Sequence, residues 1–427
     1  MDYKMKLRDE ERDILKGKKG DTLKKAMESV VLYGETFDAT GLAPIDGPVH
    51  LVTSFGIPML GPVFDMMEEL INNKLHTAIP FTVDPRPIDY ENVKCNWLQK
   101  IVFKIMYGKQ DEYEEQLKSV GLKGMNSFTC TCYMDEVGNK PKKGDILAWA
   151  ESSAVVYANS VIGARTNRNS GVIELLCGIL GKTPVFGLLT DEGRRAKWQV
   201  ELKTSYLPDA QVLGSAIGMK VIEDVPYIKG LDKFLGSEMN DEVKDYLKDM
   251  GAASASNGAV GLYHVENITP EAVDSGTKLL ASDYKTYVID DKEIKRIISS
   301  YPVMWKKINS KPKLCFIGCP HLSLRQIYSW SERVQDALER EGQNKLKIRT
   351  VFSAAPDVVE KFKEDKAAYE KLISKGVRLT SICPLMYMNN PMCSKQAVIT
   401  NSNKLRTYST ARYYTDNEII DIIVKGR

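Results

Sequence analysis

The 427-residue sequence predicts an α/β protein built on mostly parallel sheets, and three observations carry that prediction. First, the last third alternates strand and helix signals: apolar runs at 313–318, 348–352, 377–382 and 397–400 are interleaved with helical stretches at 323–340 and 358–375. Alternation of this period joins neighbouring parallel strands by right-handed crossovers. Second, 43% apolar residues, 27% charged residues and a formal charge of +3 describe an ordinary globular chain, long enough for two or three domains or lobes. Third, Cys130, Cys319 and Cys383, far apart in sequence, each sit where a strand reading opens into a polar loop. The C-terminal ends of parallel strands are where such sheets place ligands, and a thiolate-held iron site needs three or four sulfurs converging from rigid elements.

Taken in order, the N-terminal residues 1–13 are charged throughout and lack the apolar region of a secretory leader. No stretch approaches the roughly 20 apolar residues that span a bilayer. A cytoplasmic protein with reduced, metal-competent thiols is expected. The mild basicity is spread along the chain, which gives neither nucleic acid nor a membrane a footprint. Residues 21–32 read as a helix with Asp21 as N-cap and Leu23, Ala26, Val30 and Val31 on one face. Phe64, Met67, Leu70, Ile71 and Leu75 mark a second helix, and Met59, Met66 and Met67 follow its spacing as core filling. Residues 77–83 read as a strand.

Residues 150–162 read as a helix through Ala154, Val155, Ala158, Val161 and Ile162. Its polar start, Glu151-Ser152-Ser153, offers either a serine cap or unpaired amide donors for a substrate carboxylate or phosphate. Beyond it, Gly163 to Arg168 gather cationic and amide groups at a turn, and Arg165 can grip a carboxylate bidentately. In the C-terminal region Cys319, Cys383 and the loop 401–404 emerge on one edge of one sheet. Gly318 admits a tight turn before Cys319, with His321 close by, and Lys404 could meet an anion. Cys95 and Cys177 read as packed hydrophobes, Cys130-Thr131-Cys132 is too tight for the CxxC of a zinc ribbon, and a Cys383–Cys393 disulfide is disfavoured in a reducing compartment.

The strings FTCTCY (128–133), AWAESSAVVYANSVIGARTNR (148–168), GAASASNGAVGLYHVENITPEA (251–272), GCPHLS (318–323) and ICP…TNSNK (382–404) occur in order across nearly the whole chain. In these the sequence resembles the aconitase X family, specifically its large, catalytic subunit. The resemblance implies an aconitase-like fold of three α/β lobes around a central iron site, approximately 1–125, 126–305 and 306–427, with the swivelling domain absent from this chain and supplied by a separately encoded small subunit. It implies Cys130, Cys319 and Cys383 as ligands of an iron–sulfur cluster, 4Fe-4S first, with 2Fe-2S or mononuclear iron as alternatives.

The implied chemistry is dehydration of a small hydroxy acid by an iron-dependent hydro-lyase. Cis-3-hydroxy-L-proline is the leading substrate type, mevalonate 5-phosphate the alternative, and a non-catalytic cluster-binding subunit the reading from another class. The expected proton-transfer groups are His50, His321, Ser152 and Ser153. The expected substrate contacts are Thr82, Glu151, Asn159, Arg165, Thr166, Asn167, Asn401, Ser402 and Lys404. In aconitases the carbon-proton base is a serine alkoxide on the swivelling domain. The chain departs from the family pattern at Cys132, which replaces a proline and offers a further ligand or a packed neighbour. It departs also at Asp84, Arg406 and Arg412, which alter the charge offered to a substrate if they line the pocket.

Overall fold

The computed structural model describes residues 3–426. Two all-parallel sheets dominate it. The C-terminal sheet has five strands in the spatial order Val377–Thr380, Arg349–Ala354, Leu314–Leu322, Val398–Thr400 and Arg412–Tyr413. Its central strand, Leu314–Leu322, is buried along its whole length, as a strand covered by helices on both faces must be. The second sheet orders His264–Val265, Pro226–Lys229, Ala196–Leu202 and Leu280–Ile289. The expected α/β class with mostly parallel pairing is therefore what the chain adopts.

Several local expectations change. The strand begun at 313–318 runs on to Leu322, so Gly318 marks a bulge inside a strand and not a turn at its end. Gly318 has φ +102, and a Cβ there would stand 2.2 Å from the Ser353 carbonyl oxygen, so only glycine lets the two strands stay paired across the bulge. The predicted helix 358–375 is two helices, Pro356–Glu364 and Lys366–Ser374, the second capped by Asp365. The cap of Asp21–Thr36 is Gly20 and not Asp21, which lies in the first turn, where its charge suits the helix dipole. The helix expected at 150–162 begins at Ser152, runs to Tyr157 and closes in a π-turn, Ala158–Ile162.

A smaller parallel pair, Val49–Leu51 with Phe81–Val83, is widened on both sides by single bridges, His50 to Trp149 and Val83 to Phe128. The segment carrying Cys130 is thus the flank of a sheet and not the regular strand expected for it. Helix Asp241–Asn257 lies against Ala210–Val221 so closely that a Cβ on Gly214 would stand 2.1 Å from the Met250 carbonyl oxygen, which explains the small residues of the 251–257 stretch. Among the described residues no helix is long and apolar enough to cross a membrane.

Candidate iron–sulfur site

The C-terminal ends of the small sheet and of the five-stranded sheet meet around one cavity of about 150 Å³. From the small sheet come Val52, Asp84, Cys130 and Glu151, each within two residues of a paired position. From the large sheet come Gly318, Cys319, His321, Cys383 and Lys404. The two edges are tied by the Cys383 main-chain N–H, which donates to the Arg86 carbonyl at 2.9 Å. Three cysteines separated by up to 253 positions in the chain therefore share one wall, because Cys383 follows a parallel strand, Cys130 follows a bridged segment and Cys319 sits on the bulge near the end of the central strand.

His321 binds the three cysteine segments to one another. It lies two residues after Cys319. Its main-chain N–H donates to Cys130 Sγ at 3.4 Å. Its Nε2 lies 3.2 Å from the Ile382 carbonyl, one residue before Cys383, and its Nδ1 lies 3.0 Å from Thr129 Oγ1, one residue before Cys130. A carbonyl only accepts, so Nε2 carries the proton and Nδ1 accepts from the Thr129 hydroxyl. Burial lowers the imidazole to about 4, with the Ile382 carbonyl opposing and the Lys248 and Lys404 charges adding to the depression. Lys248, itself buried, donates to the His321 carbonyl at 3.1 Å.

Across the cavity Glu151 caps helix Ser152–Tyr157. One carboxylate oxygen accepts from the Ser153 N–H at 3.2 Å, the Ser153 hydroxyl at 2.9 Å and the Lys404 ammonium. The cap is thus Glu151, not Ser152 or Ser153, whose hydroxyls both turn towards it. Burial pushes Glu151 up, but the Lys404 charge and these donors outweigh it and hold the group at about 2. Asp84 behaves oppositely: burial, then the nearby Glu151 charge, raises it well above the usual carboxylate range. Behind it, His50 Nδ1 is 2.9 Å from Thr82 Oγ1, and Nε2 stands 3.5 Å from Asp84 Oδ1.

Burial raises all three thiols, Cys383 to about 12. The Lys404 charge opposes the rise at each of them, and the Ser402 hydroxyl does so at Cys319. Neutral thiols are what a buried sulfur-only site holds until a cation draws off their protons. The three sulfurs line the cavity, and among the described residues no three His, Cys, Asp or Glu side chains converge tightly enough to hold a single ion. This donor set fits a sulfur-ligated iron group that spans the cavity.

The remaining expected site residues do not line this cavity, although the Ser402 hydroxyl reaches Cys319. Arg165 donates to the Leu189 carbonyl and pairs with Asp191 at 2.5 Å on a separate polar hollow shared with Lys143 and Glu271. Asn159, Thr166 and Asn167 are buried and spend their polar groups on the backbone of the 159–188 region, on the Gly261 carbonyl and on Arg194. Asn401 binds Asp416, and Ser402 caps Asn403–Tyr408. Cys132 is packed in the central core beside Tyr133 and Trp149. Arg406 lies over Tyr301, and Arg412 lies near Trp305 and Tyr414, so neither lines the cavity, whereas Asp84 does. Cys177 is buried in the N-terminal core, and all eight cysteines are free. Sequence reasoning passed over Thr129 and Lys248, since nothing local distinguishes a buried threonine or a helical lysine.

Family models described as the first and second domains of aconitase X match residues 4–192 and 196–299. The phosphomevalonate dehydratase large subunit of Thermococcus kodakarensis is 32% identical over 95% of both chains. That of Methanocaldococcus jannaschii is 30% identical over 99% of this chain and all of the relative. A cis-3-hydroxy-L-proline dehydratase of Pseudomonas aeruginosa is 28% identical over 66% of this chain and 47% of its own length. The crystal structure of Thermococcus kodakaraensis aconitase X in its holo-form superposes with a TM-score of 0.81 at 28% identity, covering 99% of this chain and 100% of that one. The chain belongs to the aconitase X family.

Proposed function

We propose that the chain is the large subunit of an iron–sulfur dehydratase that removes water from mevalonate 5-phosphate. The observation carrying the chemistry is the single buried cavity shared by Cys130, Cys319, Cys383, Asp84 and the Lys404–Glu151 pair. The substrate rests on the relatives: those matching the chain from end to end are phosphomevalonate dehydratase large subunits, and the hydroxyproline dehydratases match it only in part. The leading expectation of a hydroxyproline-type substrate is replaced on that ground.

In this reading the three cysteines hold the cluster, 4Fe-4S before smaller alternatives. When bound, the iron–sulfur group supplies a Lewis acid for a substrate hydroxyl. Lys404 balances the negative charge of Glu151 and of the thiolates. Asp84, whose pKa burial and the Glu151 charge raise, can give a proton to an oxygen atom in the cavity, with His50 Nε2 3.5 Å behind it. Val52, Phe55, Leu385 and Met386 form an apolar wall that excludes water. The Ser152 and Ser153 hydroxyls are directed onto Glu151, so the base that takes the carbon proton is assigned to a small subunit. Lobes of approximately 1–125, 126–305 and 306–427 would meet at the site, in a cytoplasmic enzyme whose thiols stay reduced.

The test is anaerobic co-expression with the small subunit followed by dehydration assays on both compounds. Turnover of mevalonate 5-phosphate is expected. Turnover of cis-3-hydroxy-L-proline alone reverses the substrate assignment, and no turnover of either by an iron-replete complex favours a non-catalytic cluster-binding subunit.

A further inference from the structure

Helix Trp97–Met106 is apolar around most of its circumference but buries only part of it. Gln99 and Phe103 face inward, as does Tyr107 just beyond the helix. Trp97, Ile101 and Ile105, spaced at i, i+4 and i+8, form a stripe on the outer side with exposures of 73%, 48% and 70%. Leu98 flanks the stripe, and Met59, 91% exposed, lies on the turn that abuts the helix's far end, where the Lys109 N–H donates to the Gly56 carbonyl at 3.1 Å. A solvated helix places polar groups here, and a contiguous apolar patch of this kind marks an interaction surface. The only charges on the helix are Lys100 and Lys104, both exposed, and it carries no acidic residue.

The inner side of the same helix packs into the cluster that forms the cavity's apolar wall. Tyr107 Oη donates to the Met386 carbonyl at 3.3 Å, and its ring lies 6.5 Å from that of Phe55. Met386 and Phe55 both line the cavity. A body seated on the stripe is therefore separated from the cavity's apolar wall by the thickness of this helix. We propose that this face, centred on Trp97, Ile101 and Ile105, docks the small subunit, which would meet it with an apolar patch rimmed by acidic side chains. The inference rests on the reading of the chain as a large subunit and adds the surface and the charge of its partner. Aromatic and aliphatic anchors at the centre of an interface carry most of its energy, and Trp97 is the strongest anchor on this face.

The experiment uses the purified iron-replete chain and its small subunit, with affinity measured directly and assembly followed by light scattering. Ile101→Asp and Ile105→Asp are expected to weaken pairing at least about tenfold, with the visible absorption of the large subunit unchanged. Lys100→Glu should weaken pairing more in low salt than in high salt, since an exposed charge pair is screened. Ile308→Asp, on an exposed residue outside the patch, serves as the control and should pair normally. Undiminished pairing of both stripe variants overturns the proposal. So does a wild-type chain that uses this face for self-association or for anionic vesicles instead of the small subunit. Because pairing is read without turnover, an assembled complex inactive on mevalonate 5-phosphate would sink the substrate assignment and leave the surface standing.

Discussion

Replacing His321 by alanine separates two roles that the sequence alone leaves equivalent, proton transfer and assembly of the cysteine set. The ring makes two buried hydrogen bonds, to Thr129 at 3.0 Å and to the Ile382 carbonyl at 3.2 Å. Losing them forfeits about 1 kcal/mol each, and a carbonyl and a hydroxyl left unpaired in the interior add their desolvation. With the space left by the ring, the total is about 3–5 kcal/mol. Denaturant unfolding of the iron-free chain should show that loss, and anaerobic reconstitution should give less iron and sulfide per chain, because the segments bearing Cys130 and Cys383 are no longer held together. His321→Gln can still donate to the Ile382 carbonyl but loses Thr129, so it should fall between alanine and wild type in both measurements. An alanine variant with wild-type stability and full iron content but no turnover would refute this argument and return His321 to proton transfer.

Further outcomes follow from the same geometry. Cys130→Ser, Cys319→Ser and Cys383→Ser should each bleach the visible absorption, whereas Cys177→Ala should keep it and cost about 1–3 kcal/mol as a modest core truncation; equal loss at all four would indicate misfolding. Lys404→Met leaves Glu151 as a buried, uncompensated charge and should destabilise the chain by about 3–5 kcal/mol, while Lys404→Met combined with Glu151→Leu should recover much of that in a double-mutant cycle. Glu174 is buried in the N-terminal core, and burial raises its pKa well above the usual range, outweighing the Asn169 side chain and backbone, which oppose the rise. The unfolded chain therefore releases this proton first. As pH rises above about 4.3, this group should cost stability at up to ~1.4 kcal/mol per unit until the folded group also ionises. Glu174→Gln should remove that slope and stabilise the protein at neutral pH, as unfolding measured from pH 5 to 8 will show. Arg165→Ala loses a hydrogen bond to the Leu189 carbonyl and a pair with the exposed Asp191, so turnover should stay near wild type with a stability change of about 1–2 kcal/mol.

The alternation of strands and helices after residue 313 made the five-stranded sheet legible, because the period of burial is written locally in the side chains. It also placed Cys319, Cys383 and Lys404 on one edge before any coordinates. Residues 150–168 were legible as a helix and a turn, but not which of their side chains face the cavity. Only packing reveals that the amides of Asn159 and Asn167 are consumed by the backbone, while Glu151, the first residue of that stretch to face the cavity, takes Lys404 from 253 positions away. The sequence by itself determined the fold class and the residue types available as donors. The tertiary structure alone decided which donors meet. It raised the pKa of Asp84 and lowered that of Glu151, each one or two residues past a strand end or bridge, and it turned His321 into a tie between segments, because desolvation and hydrogen bonding depend on neighbours that are distant along the chain.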